Sequence, residues 1–98
     1  MRFEWDEDKR VSNRLKHRVD FKLAQSVFQD SFASTFPDRI VDGEERWRTV
    51  GQTPSGLLLT IIHTTWFEDD EEVIRIISAR KATPHERRDY SESGFQDY

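Results

Sequence analysis

The main change in the spacing of hydrophobic positions along this chain is from a helical period before Gln29 to a strand-like one after it. Arg2 to Trp5 alternates polar and apolar residues and reads as a short edge strand. Asp6 is placed to cap a helix running to about Lys16, with Glu7 and Asp8 in the first turn, where the helix dipole favours acids. Val11 and Leu15, four residues apart, form its narrow apolar stripe. Asp20 is a second N-cap. Phe21, Ala24, Val27 and Phe28 fall on one face of a second helix that ends near Gln29, which leaves His17-Arg18-Val19 as a tight link.

The remainder reads as strands. Phe32 to Phe36 is the first, ended by Pro37-Asp38. Glu45 to Gln52 alternates, with Trp47 and Thr49 on one side and Arg46, Arg48 and Val50 on the other. Thr53-Pro54-Ser55-Gly56 is a turn, and Leu57 to Trp66 is apolar on both faces for most of its length, as in a covered central strand. The acidic run Glu68 to Glu72 connects it to a last strand, Val73 to Ala79. Short turns between four strands imply an antiparallel meander. Thr83-Pro84-His85-Glu86 then combines a cap, an N1 proline and a capping-box glutamate, so a helix starts there and runs through Tyr90. Residues 91–98 are polar and read as a frayed tail. The expected fold is α+β: one domain over residues 1–98, with a short N-terminal strand and two helices packed on a four-stranded antiparallel sheet, followed by a C-terminal helix.

Composition narrows the function classes. The 98 residues suffice for one compact domain with a thin core, and twelve aromatic residues offset an apolar content of 35 %. Cysteine is absent, which excludes a disulfide framework or a thiolate metal site. The charged N-terminus lacks the apolar stretch of a signal peptide, and Leu57 to Ile62, broken by Thr60, is too short to cross a bilayer, so a cytoplasmic protein without membrane contact is expected. The net charge of −4 argues against a nucleic-acid ligand, but five of the nineteen acids lie in the Glu68–Glu72 run. Bases cluster at 14–18, 46–48 and 75–88, and local field decides what a groove attracts.

Among residues able to carry chemistry, His17, His63 and His85 have no metal-ligand spacing, so no metal and no cofactor are expected. Arg75 and Arg80 lie on the last strand with opposite parity, so on a regular strand they point to opposite sides. Arg80 and Lys81 end beside the N-terminus of the Thr83 helix, an anion-binding arrangement that suits a phosphodiester. Simpler readings stand beside this one: Arg88 as a solvated side chain, Arg75 as a partner of the acidic run, His63 as a packing residue, and Tyr90 as a core residue with its hydroxyl at the rim.

Taken in order, several segments resemble the BrnT family of toxins from type II toxin–antitoxin modules. These are Phe3-Glu4-Trp5-Asp6 with Lys9; Asn13 followed by Lys16-His17; Val19-Asp20-Phe21 with Ala24, Val27 and Phe28; Gly43-Glu44 with Arg46 and Gly51; and Arg75 to Ala82 with Glu86-Arg87 and Tyr90. Arg18 departs from the glycine often found after the histidine. The resemblance implies an RNA-cleaving toxin with a RelE-like fold that inhibits translation. It also implies a BrnA-like antitoxin of the ribbon-helix-helix DNA-binding type, through which alone operator DNA is reached and the operon repressed. Metal-free cleavage by 2′-hydroxyl attack needs a base, an acid and cations for the phosphorane. Arg80 and Arg75 are assigned to the phosphate, with Arg46 as a third cation. Lys16 and His17 are assigned to proton transfer, with Glu86 and Tyr90 as second choices. Arg48, Ser78, Lys81 and Arg87 complete the RNA-contacting set. Arg80→Ala is expected to abolish toxicity with the fold intact. The alternative is a regulatory module that binds RNA or a partner without cleaving.

Overall fold

The computed structural model describes residues 1–95. Its elements are β1 (Arg2–Trp5), α1 (Glu7–His17), α2 (Phe21–Gln25), a 3-10 turn (Ser26–Gln29), β2 (Ser34–Val41), β3 (Glu44–Gln52), β4 (Leu58–Glu68), β5 (Glu71–Lys81) and α3 (Pro84–Phe95). The sheet has five strands in the order β1-β5-β4-β3-β2. β2 to β5 form the expected antiparallel meander. β1 joins it as a fifth strand, parallel to β5, so the four-strand count is corrected. The α+β class stands.

The caps act as the sequence implies. The Asp6 carboxylate accepts from the N–H groups of Asp8 and Lys9, and Asp20 accepts from that of Lys22. Thr83 and Glu86 form a reciprocal capping box: the Thr83 N–H donates to Glu86 at 2.8 Å and the Glu86 N–H to Thr83 Oγ1 at 3.2 Å. α3 continues past Tyr90 to Phe95, so residues 91–95 are helical rather than a frayed tail, and residues 96–98 lie outside the described residues.

Phe21, Ala24 and Val27 bury fully against Leu59, Ile61, Ile74, Ile76 and Ala79 on one sheet face, with Phe3, Trp5 and Phe28 at the border. Each such large side chain contributes roughly 1.5–3 kcal/mol of transfer free energy. Gly51 permits this contact: a Cβ there would sit 2.7 Å from Val27 Cγ1. α1 behaves otherwise. Its expected stripe is not buried, Val11 being 41 % and Leu15 80 % exposed. Only Asn13 is buried. Its side chain donates to the Ala79 carbonyl at 2.8 Å and accepts from the Ala79 N–H at 3.1 Å. β1 pairs with β5 only as far as Ile76, and Asn13 takes over the exposed strand edge beyond it. α1 therefore lies along the edge of the sheet.

The strands also differ from the sequence reading in extent and register. β2 runs through Pro37 to Val41 with an irregularity between Pro37 and Ile40, because an edge strand tolerates a residue with no donor. The acidic run is mostly strand: Glu68 ends β4, Glu71 and Glu72 begin β5, and only Asp69-Asp70 form the turn, both at positive φ (50° and 67°). β5 carries a bulge. Ile62 pairs with Ser78 but His63 with Ile76, which leaves Ile77 as the extra residue.

Candidate functional site

The bulge decides the site. Across β4, Arg75 faces Thr64 and Arg80 faces Thr60, two residues of equal parity. Cross-strand partners share a face. Arg75 and Arg80 therefore stand on the same side of the sheet, although their spacing on a regular strand would separate them. Arg48 faces Ile62 on that side, and Arg46 shares its parity. Four arginines thus occupy the face opposite α2, and α3 covers one end of it through Tyr90 packed against Val50, Leu58 and Ala82.

Glu86 lies at the centre, 5 % exposed. Arg80 donates to it through both terminal nitrogens, at 2.7 and 3.1 Å, Thr60 Oγ1 at 2.8 Å and Arg48 at 3.3 Å. Burial pushes the carboxyl pKa up, but the hydrogen bonds from Arg80, the Thr83 N–H and Thr60 outweigh it and bring it down to about 2. A carboxylate so firmly ionised is a poor proton carrier near neutrality. Through these bonds it holds Arg80 and Arg48 in place. Burial and the bond from its hydroxyl to Asp30 (2.6 Å) push Tyr90 up to about 12, which leaves that hydroxyl a structural donor too.

The other expected residues are dispersed around this centre. Arg75 is exposed and pairs with Glu4 of β1 at 3.3 Å, whereas Arg2 takes the acidic run through Glu68 and Glu71. Arg48 also lies over the Phe36 ring, 5.4 Å from its centroid. Arg46 is half-buried. Arg46 Nε, Arg48 Nε and Thr64 Oγ1 are buried with no hydrogen-bond partner among the described residues, and all three belong to this face. Lys81 and Arg87 are exposed at its α3 end. Lys16 and His17 are on α1, where with Lys9 and Ser12 they line a cleft against Ile77 and Ser78. Ser78 faces Ile62 and so links this cleft to the arginine side. His63 points to the helix-bearing side, donating to or accepting from Thr49 Oγ1 at 2.7 Å and packed on Phe28. Burial pushes its pKa down, which keeps it a neutral packing residue. Among the described residues, no group of three or more His, Asp or Glu is arranged to hold a metal ion.

The model of the BrnT family, the ribonuclease toxin of type II toxin–antitoxin systems, matches residues 5–86. The chain belongs to the BrnT family. The crystal structure of the Brucella abortus ribonuclease toxin BrnT is similar to it, with a TM-score of 0.58 and 27 % identity over 85 % of this chain and 97 % of that one. That likeness is to a BrnT toxin itself, so the RelE-like label gives way to the narrower description. No curated protein matches the chain. No described helix is long and apolar enough to cross a membrane.

Thr60, Thr64, Glu4 and Asn13 were not singled out as functional from sequence. Thr60 had a signal, a hydroxyl interrupting the apolar run Leu57 to Ile62. The bulge at Ile77, on which the grouping of arginines depends, had none.

Proposed function

We propose that this BrnT-family chain is a metal-independent endoribonuclease that cleaves at the arginine face and thereby inhibits translation in the cytoplasm. The grouping of Arg46, Arg48, Arg75 and Arg80 on one side of the sheet carries this reading. A pentacoordinate phosphorane gathers charge on its equatorial oxygens, and preoriented guanidinium groups stabilise it without reorganising.

In the proposed step the 2′-oxygen bonds to phosphorus and the P–O5′ bond breaks. The 2′-proton passes to a base and the 5′-oxygen takes a proton. The products are a 2′,3′-cyclic phosphate and a 5′-hydroxyl. Arg46 and Arg75 hold the phosphate. Arg80 and Arg48 reinforce the field from their seat on Glu86. His17 and Lys16 serve proton transfer across Ser78, with Lys81 and Arg87 guiding the strand. A BrnA-like antitoxin of ribbon-helix-helix type neutralises the toxin, and the complex represses its operon. RNA incubated with the purified chain and EDTA tests the reaction: cyclic phosphate ends support it, and salt-sensitive binding to intact RNA would replace it with a non-catalytic binding module.

A further inference from the structure

The helix-bearing face of the sheet is covered over only part of its length. α2 and the 3-10 turn pack where β3, β4 and β5 bury Gly51, Leu59 and Ala79. Towards the β2–β3 and β4–β5 turns no described element covers the same face. There Phe67 is 71 % exposed, Ile40 69 % and Met1 58 %. Between them Trp47, Phe28 and Ile74 line a concave surface with His63. Phe67, Thr65 and His63 alternate along β4 on this side, opposite Glu72, Ile74 and Ile76 of β5, and Ile40 of β2 faces Glu45 of β3. An apolar sheet surface left open in this way marks a contact site.

The border of this surface is acidic. Asp38, Asp42, Glu44 and Glu45 lie at or beside one turn, and Glu68, Glu71 and Glu72 flank the other, which Asp69 and Asp70 form. Together they are nine of the chain's nineteen acidic residues. The basic groups among the described residues there are Arg2, already held by Glu68 and Glu71, the Met1 ammonium, which also pairs with Glu71, and Arg39. Two copies of this chain meeting face to face would set acid against acid, which disfavours self-association. A segment with an apolar side and lysine or arginine along its borders matches both properties.

We infer that the uncovered end of the helix-bearing face is the seat of the module's antitoxin, which docks there through a basic amphipathic segment. This rests on the toxin reading above. The seat lies on the sheet face opposite the arginines. Chain leaving it across the acidic turns arrives at Arg75 and Arg46, so one partner can both anchor and mask. The acidic run, without a part in RNA cleavage, gains one here.

The test is titration calorimetry of the full chain with the co-encoded antitoxin, alongside RNA cleavage by the free chain. Phe67 and Ile40 are exposed, so Phe67→Glu and Ile40→Glu are expected to fold normally and cleave within about twofold of wild type. Each is expected to weaken antitoxin binding at least about tenfold, and Glu45→Lys is expected to weaken it further at low salt than at high salt. Unchanged antitoxin affinity in both apolar variants, with cleavage intact, overturns the docking site alone. Failure of the wild-type chain to cleave overturns the toxin reading instead. A free chain that is dimeric, and made monomeric by Phe67→Glu, would assign the surface to a second copy and also overturn the proposal.

Discussion

On one side of the sheet, β3 and β5 present Arg46, Arg48, Arg75 and Arg80, of which Arg48 and Arg80 hold a buried carboxylate. On the other side, the same strands and β4 present Trp47, Ile74, His63 and Phe67. The first surface is expensive to maintain. Its buried charge persists because Glu86 is met by two guanidinium groups, a hydroxyl and a backbone N–H. The second is made stable by packing where helices cover it and is left unpaired where they do not. Two surfaces of opposite chemistry can share one set of strands because side chains alternate along them. The Ile77 bulge resets that alternation midway along β5 and thereby collects the arginines on one side.

The largest expected effect is at Arg80. Because it is the two-pronged partner of Glu86, Arg80→Ala should both slow cleavage by about a hundredfold to a thousandfold and destabilise the chain by roughly 1.5–3 kcal/mol. Cleavage kinetics and urea unfolding read the two losses separately, and the fold is not expected to escape unharmed. Glu86→Gln should cost a similar roughly 1.5–3 kcal/mol at neutral pH. The carboxyl is held at about 2 against its ordinary 4.5, so its contribution is full above 4.5 and is lost as pH falls from there towards about 2. Acid titration of stability should be shallower for the variant across that window. On the opposite face, Gly51→Ala forces a Cβ against Val27 and Ala33 and should cost about 1–3 kcal/mol, with cleavage by the folded fraction retained. Tyr90→Phe removes one hydrogen bond to Asp30 and should cost about 1 kcal/mol, with little change in cleavage at neutral pH. Loss of cleavage in Gly51→Ala at equal folded fraction would break the division between the two faces.

Much of the fold was legible because its signals are local. Asp6, Asp20 and the Thr83–Glu86 pair are caps in sequence and in space. The alternation of β3 placed Arg46 and Arg48 together from the start. What failed to read through depends on partners distant in sequence. Leu15 looked like a core residue of a helix on a sheet face, but α1 is tied to a strand edge by Asn13 and Ala79, 66 positions apart, and leaves Leu15 in solvent. Pro37 looked like a strand end, yet on the outermost strand its missing donor disrupts no ladder. Arg75 and Arg80 looked divided by parity, and no residue near Ile77 announces the bulge that unites them. Glu86 and Tyr90 were proton carriers by type, and their partners Arg80, Thr60 and Asp30, distant in sequence or on another element, were not legible.

The central claim is that RNA is cleaved on the arginine side and not on its reverse. Single-turnover cleavage of one RNA oligonucleotide in EDTA by Arg75→Ala and by Phe67→Glu tests it directly, since both side chains are exposed and neither belongs to the core. Arg75→Ala is expected to slow cleavage by about a hundredfold or more, while Phe67→Glu is expected to stay within about twofold of wild type. Wild-type cleavage by Arg75→Ala, or a loss confined to Phe67→Glu, would contradict it.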